Sequence, residues 1–247
     1  MSEAPSLEAE LDRARELSVS DLADAIESIG FECTRCGACC KGHADENGET
    51  EPHTATVFPD EIRGIQEAAA EADDGGDQTD DGDDETDDVD AYDWRDVARP
   101  MPYGLPEGDG SAGGETFEWA LQTDACGDCA FYEEGETEGA CRIHPDRPLI
   151  CRTYPFSVAL GGTSQPMGEA VDEEGMVRGH ECEGLGRDIS RADAEELAAA
   201  LKERAVRELE EAIGVRDNYA PVDADGVVVY DSEGPKRADG TPIDGGE

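Results

Sequence analysis

Apolar residues recur at helical spacing near both ends of the chain. Leu7, Leu11 and Leu17, followed by Leu22, Ile26 and Ile29, mark residues 6–29 as helical. Ser18 with Asp21 resembles a capping box, and Gly30 offers a stop. Toward the C-terminus, Leu197, Leu201, Val206, Leu209 and Ile213 form one stripe. Ser190 with Asp193 opens that helix, and Gly214 is expected to end it. A shorter helix is expected from Pro59 to Glu71, with Pro59 near its first turn.

Between these helices the period changes to two. Phe117, Trp119 and Leu121 alternate with polar residues, which predicts one half-buried strand. Cys129–Tyr132 and Ala140–Ile143 suit a hairpin joined by the Gly-rich Glu133–Gly139. Ser157–Leu160 and residues 168–179 supply further short strands, and Val227–Tyr230 is one short apolar run in the tail. The expected fold class is α+β, with short antiparallel strands packed by flanking helices.

Composition limits the core. Hydrophobic residues make up 37% of the 247, so some segments must lie outside it. Residues 71–93 are the clearest case: thirteen of these positions are Asp or Glu and none is basic, the signature of a disordered acidic insertion. Over the whole chain 63 acidic residues face 19 basic ones, a formal net charge of −44. Acid is spread over every segment. That suits a molar-salt cytoplasm, as in halophilic archaea, better than an acidic mimic that binds basic partners such as histones. No basic patch exists to bind nucleic acid. No stretch approaches the ~18 apolar residues of a membrane span, and no apolar run follows the N-terminus, so a cytoplasmic location without membrane contact is expected.

The chemistry lies in the nine cysteines. Cys33-Thr-Arg-Cys36-Gly-Ala-Cys39-Cys40 lets successive thiolates converge from one tight loop, a spacing that bacterial ferredoxins use for cluster irons. Cys39 and Cys40 are awkward ligands of one ion, because adjacent side chains diverge, so one of them serves a second site or none. Cys126-Gly-Asp-Cys129 is a metal-knuckle pair beside the expected hairpin. Cys141, Cys151 and Cys182 are too separated for spacing alone to assign. Gly37 is expected to remove bulk where the backbone folds close to sulfur. Arg35, Arg142, Arg147 and Arg152 sit within a few residues of cysteines and are expected to offset thiolate charge. His43, His53 and His180 read as surface or loop residues, and Trp94, Trp119, Tyr154 and Phe156 as core. Gly108, Gly110 and Gly113 match a dinucleotide pattern, but the strand-then-helix context it requires is missing.

These residues resemble the CxxCxxCC cysteine-cluster family (YkgJ-type), associated with zinc or iron chelation. The first run is followed by Cys129-Ala-Phe131-Tyr132, then Cys141-Arg-Ile143-His144, then Arg147-Pro148-Leu-Ile-Cys151-Arg152-Thr-Tyr154-Pro155-Phe156, then Cys182-Glu-Gly184-Leu-Gly186. His144 stands where the family commonly has Tyr, and Cys126 lies outside the pattern. The resemblance implies a small, irregular, cysteine-rich metal-binding domain over residues 31–186. It would follow an N-terminal helical segment, 1–30, and precede a long helix, 187–214, and an acidic tail with one short strand, 215–247. It implies metal ligands at Cys33, Cys36, Cys39, Cys40, Cys129, Cys141, Cys151 and Cys182. The centre would be an iron–sulfur cluster (4Fe–4S) or zinc. Related flagellin lysine methylases share the motif and are thought to carry a 4Fe–4S cluster. The expected role is electron transfer or a redox step with a protein partner; zinc-based interaction and metal chelation or delivery are the alternatives. No catalytic residue or dyad stands out to define an enzyme.

Overall fold

The computed structural model describes residues 5–44, 50–74, 92–105, 113–135, 138–160, 170–172 and 175–243. The helices are α1 (Leu7–Glu16), α2 (Val19–Ile29), α3 (Pro59–Asp74), α4 (Trp94–Val97), α5 (Leu149–Thr153) and α6 (Arg191–Asn218). The strands are short: β1 (His43–Ala44), β2 (Thr50–Glu51), β3 (Thr56–Val57), β4 (Ala98–Pro100), β5 (Gly114–Phe117), β6 (Trp119–Leu121) and β7 (Tyr132–Glu133). They continue with β8 (Ala140–Cys141), β9 (Phe156–Val158), β10 (Ala170–Asp172), β11 (Val177–His180), β12 (Val227–Asp231) and β13 (Gly234–Arg237). The fold is α+β, as the pattern predicts. The small sheets run in the orders β10-β11-β9, β3-β6-β4 and β13-β12-β5, with two-stranded pairs β1-β2 and β7-β8. Their pairings are antiparallel except β12 against β5, which is parallel.

Serines start α1, α2 and α6. Ser6, Ser18 and Ser190 each accept a backbone N–H three residues on, at 3.2, 3.3 and 3.2 Å. Each such cap is worth ~1 kcal/mol, since it satisfies a donor that the helix cannot. The cap at Ser18 divides the expected 6–29 helix into α1 and α2.

Two apolar cores result. In the first, Leu11, Leu22 and Ile26 of α1 and α2 pack with Ala198, Leu201 and Leu209 of α6, against Phe156 of β9 and Val177 of β11. Each large aliphatic side chain buried there contributes roughly 1.5–3 kcal/mol. Buried Arg204 ties α6 to α5 and β9: its guanidinium donates to Thr153 Oγ1 (3.0 Å) and the Phe156 carbonyl (3.3 Å). The second core joins Val57, Ile62, Ile65, Val97, Trp119 and Leu121 with Cys129, Phe131, Ile143 and Val229. Phe31 and Leu185 pack on the first core, whereas Cys40, Cys141 and Cys151 pack on the second. The cysteine loops therefore run from one core to the other.

Four expectations need correction. Phe117, Trp119 and Leu121 do not share one strand: Glu118 takes a left-handed conformation (φ 64°), dividing β5 from β6, and Phe117 is left exposed while Trp119 is buried. Gly214 does not end the last helix, which runs on to Asn218. A Cβ there would stand 2.6 Å from Ser232 Cβ, so glycine lets α6 pass close to the turn after β12. The tail holds a hairpin, β12–β13, rather than one strand, and β12 is the middle strand of its sheet. Inside that hairpin Lys236 Nζ reaches Asp231 (2.7 Å) and Glu233 (2.6 Å), and Trp119 Nε1 donates to the same Asp231 (2.8 Å). Finally, His180 is no loop residue: it is buried on β11, 2.8 Å from Ser157 Oγ. Of the expected disordered insertion, residues 71–74 belong to α3, and 75–91 lie outside the described residues.

Candidate metal centre

The first cysteine loop leaves α2 at Gly30 and is stapled at both ends. At its start, Phe31 bridges Leu185, Glu32 N–H donates to the Gly184 carbonyl (3.0 Å), and Gly186 N–H donates to that of Gly30 (3.0 Å). Thr34 Oγ1 donates to the Glu183 carboxylate. This ladder ties the start of the loop to the segment just after Cys182. In the middle, Gly139 N–H donates to the Arg35 carbonyl (2.8 Å). At the far end, Cys129 N–H donates to the Cys40 carbonyl (2.7 Å), and Gly42 N–H donates to Asp128 Oδ1 (2.9 Å).

Gly37 takes φ 77° just before the 3-10 turn Ala38–Cys40. A Cβ on it would meet the Tyr132 hydroxyl at 2.3 Å, and one on Gly139 would meet the same ring at 2.4 Å. The tight approach that requires glycine is thus to a tyrosine ring rather than to sulfur. Tyr132 pairs in register with Cys141 in the β7–β8 hairpin, so this ring links the loop to the second cysteine group. Sequence spacing gave no sign of that role. Cys151 is placed by α5, whose first N–H (Leu149) donates to Glu61 Oε1 (2.8 Å); the other oxygen of Glu61 accepts Phe58 N–H (3.0 Å). One carboxylate of α3 therefore fixes the helix that carries a thiol, a second contribution unmarked by any motif.

The thiols perturb one another. Cys39 Sγ and Cys40 Sγ are 3.8 Å apart, and that contact, with burial, pushes the Cys39 thiol well above the usual range. Burial raises Cys129 to about 11, with Cys141 and Cys39 adding to it. Burial raises Cys151 further, joined by Cys129, Cys39 and Cys141. Cys182 is raised by burial and then by Cys36, Cys39 and Cys33. Burial also raises Tyr154 to about 12, with Cys182, Cys39 and Cys36 contributing. Cys39 and Cys40 are thus in direct contact, and Cys39 acts electrostatically on Cys129, Cys141, Cys151 and Cys182. Opposing charge comes from Arg147, which lowers Cys39, Cys141 and Cys151, and from Arg142 at Cys141. Cys126 is exposed, its N–H donating to Asp124 Oδ1 (2.8 Å). His144 sits in a 3-10 turn and is lowered by burial, Arg147 and Arg35.

Among the described residues no three His, Cys, Asp or Glu side chains already form a coordination shell. The donor set nevertheless fits a soft metal. Crowded thiols held protonated by burial and mutual repulsion lose that cost when a cation takes the protons' place. Sulfur-only donors suit zinc or an iron–sulfur centre rather than magnesium or calcium.

An α+β scaffold that gathers thiols from remote loops defines a cysteine-cluster, metal-chelating class of protein. The family model "CxxCxxCC: Putative zinc- or iron-chelating domain" matches residues 32–183, more than half of the chain. The chain belongs to the CxxCxxCC family. No curated protein and no solved structure matches it.

Proposed function

We propose that the protein holds an iron–sulfur cluster of the 4Fe–4S type and passes electrons to a protein partner. One observation carries this. The loop with Cys33, Cys36 and Cys39 at ferredoxin spacing is laddered by backbone bonds to the segment bearing Cys182. Three closely spaced thiolates plus one remote thiolate is the ligand pattern of such clusters. The group would supply one-electron chemistry. Cys33 and Cys36 are solvent-exposed, which suits transfer to a docked partner. The residues of the chain would bind the group and tune it: Arg147 offsets thiolate charge, and the Tyr154 hydroxyl is engaged by the Glu181 carbonyl next to Cys182.

Protein purified without oxygen is expected to be brown, to contain iron and acid-labile sulfide together, and to bleach on reduction with dithionite. Colourless protein with full zinc and no sulfide would overturn the cluster and leave chelation of zinc.

A further inference from the structure

We infer that Cys39 and Cys40 form a redox-modified pair: in the metal-free chain a small disulfide oxidant closes them into one disulfide, which withholds Cys39 from the metal and so gates loading. The gating rests on the metal-chelating reading above; the closure itself does not.

Contact comes first. Among the described residues the touching sulfurs are those of Cys39 and Cys40, 3.8 Å apart. The backbone beneath them is fixed. Cys40 N–H donates to the Gly37 carbonyl (2.8 Å), and the Cys40 carbonyl accepts Cys129 N–H (2.7 Å), so the turn Ala38–Cys40 is held on both sides. Side-chain torsion then brings the sulfurs from contact to the ~2.0 Å of a bond. The rival partner is set apart. Cys36 lies before Gly37, whose left-handed φ of 77° divides it from the turn that carries Cys39 and Cys40. Cys126 belongs to another loop, where its N–H donates to Asp124 Oδ1 (2.8 Å).

The step balances. One thiol of the pair gives up its proton, and its sulfur attacks the small disulfide, expelling one small thiol and leaving a mixed disulfide. The neighbouring sulfur, its own proton lost, attacks the protein sulfur of that bond and expels the second small thiol. Two protons and two electrons pass from Cys39 and Cys40 to the oxidant, which leaves as two thiols. Adjacent Cα atoms stand about 3.8 Å apart, closer than the ~4.4–6.8 Å usual across a disulfide. The ring that forms is therefore easily reopened by excess thiol, which suits a reversible latch rather than a structural crosslink. While it is shut, Cys39 has no thiolate to give, and a centre built on Cys33, Cys36, Cys39 and Cys182 lacks a ligand.

A label map tests the closure. The full chain, freed of metal under argon, is equilibrated with oxidised glutathione, its remaining thiols are blocked with N-ethylmaleimide, and it is cut with trypsin after Arg35 and Lys41. The peptide of residues 36–41 should carry one label, on Cys36, with Cys39 joined to Cys40. Prior reduction should restore labels on all three. Three labels after the oxidant, closure of Cys36 with Cys39, or linkage of either residue to another peptide would overturn the pair. Cobalt(II) tests the gating, because a thiolate–cobalt bond gives an intense charge-transfer band that cobalt on surface carboxylates does not. The closed chain should lose most of the band that the reduced chain shows and regain it on reduction; equal bands in both states would overturn the gating. Cys40→Ser should keep its band after the oxidant, and should that variant fail to fold, the label map of the unaltered chain still decides. Iron and sulfide content, on which the cluster reading turns, enters neither measurement, so the two failures are separable.

Discussion

Glu118 shows how much one residue can decide. Its positive φ separates β5 from β6, while its N–H still donates to the Tyr230 carbonyl (3.0 Å). Burial pushes its carboxyl up to about 7, and the nearby Glu211 and Glu208 add to the rise. An acid whose folded pKa is raised contributes most below its unfolded value, near 4.5. That contribution fades as pH climbs through about 7, because the unfolded chain ionises more easily. Glu118→Gln should therefore raise the melting temperature over the parent at about pH 8 and lose that advantage at about pH 5. Thermal melts of both proteins in the same molar salt would check it. An equal gain at both pH values would mean that carboxylate crowding is not the cause. Nothing in the sequence announces a left-handed glutamate, and the alternation of Phe117, Trp119 and Leu121 actively hides it.

At the scale of elements, local signals were good where the partner was local. Ser18 and Ser190 cap helices because the N–H donors they accept from lie three residues on, and the β7–β8 hairpin joins neighbouring segments. Signals failed where the partner was remote. Gly214 looked like a helix stop, but its reason is Ser232, on another element. The parallel pairing of β12 with β5 joins strands far apart in sequence, and short apolar runs do not name their partners. The site follows the same division. The motif exposed Cys33, Cys36, Cys39, Cys40, Cys129, Cys141, Cys151 and Cys182, whereas the ladder that ties the start of the loop to the segment just after Cys182, the Tyr132 ring and the Glu61 clamp emerge only from folding. Two helix glycines make the contrast measurable. Gly214→Ala gains up to ~1 kcal/mol of helix propensity, yet its methyl strikes Ser232, so a net loss of ~1–3 kcal/mol is expected. Gly64→Ala in α3 meets nothing within 4 Å and should gain about 0.4–1 kcal/mol. Urea unfolding of the two variants would show opposite signs; a stabilised Gly214→Ala would refute the close passage of α6.

Over the whole molecule, charge is the dominant variable. Many basic side chains are paired: Arg191 alone meets Asp24, Glu27 and Glu195. With 63 acids to 19 bases, however, repulsion outnumbers such pairs, and exposed pairs are worth at most ~1 kcal/mol each. Screening shortens from about 10 Å at 0.1 M salt to about 3 Å at 1 M. The melting temperature should therefore fall continuously as potassium chloride is diluted from molar to ~0.1 M concentration. A melting point that holds steady or rises on dilution would show that ion pairs outweigh repulsion. The central position of β12 bears on how the molecule is made. As the polypeptide leaves the ribosome, β5 and Trp119 emerge well before the strand and the aspartate that complete them, and α1 and α2 wait equally for α6. Closure of both halves thus waits until α6 and β12 have been made.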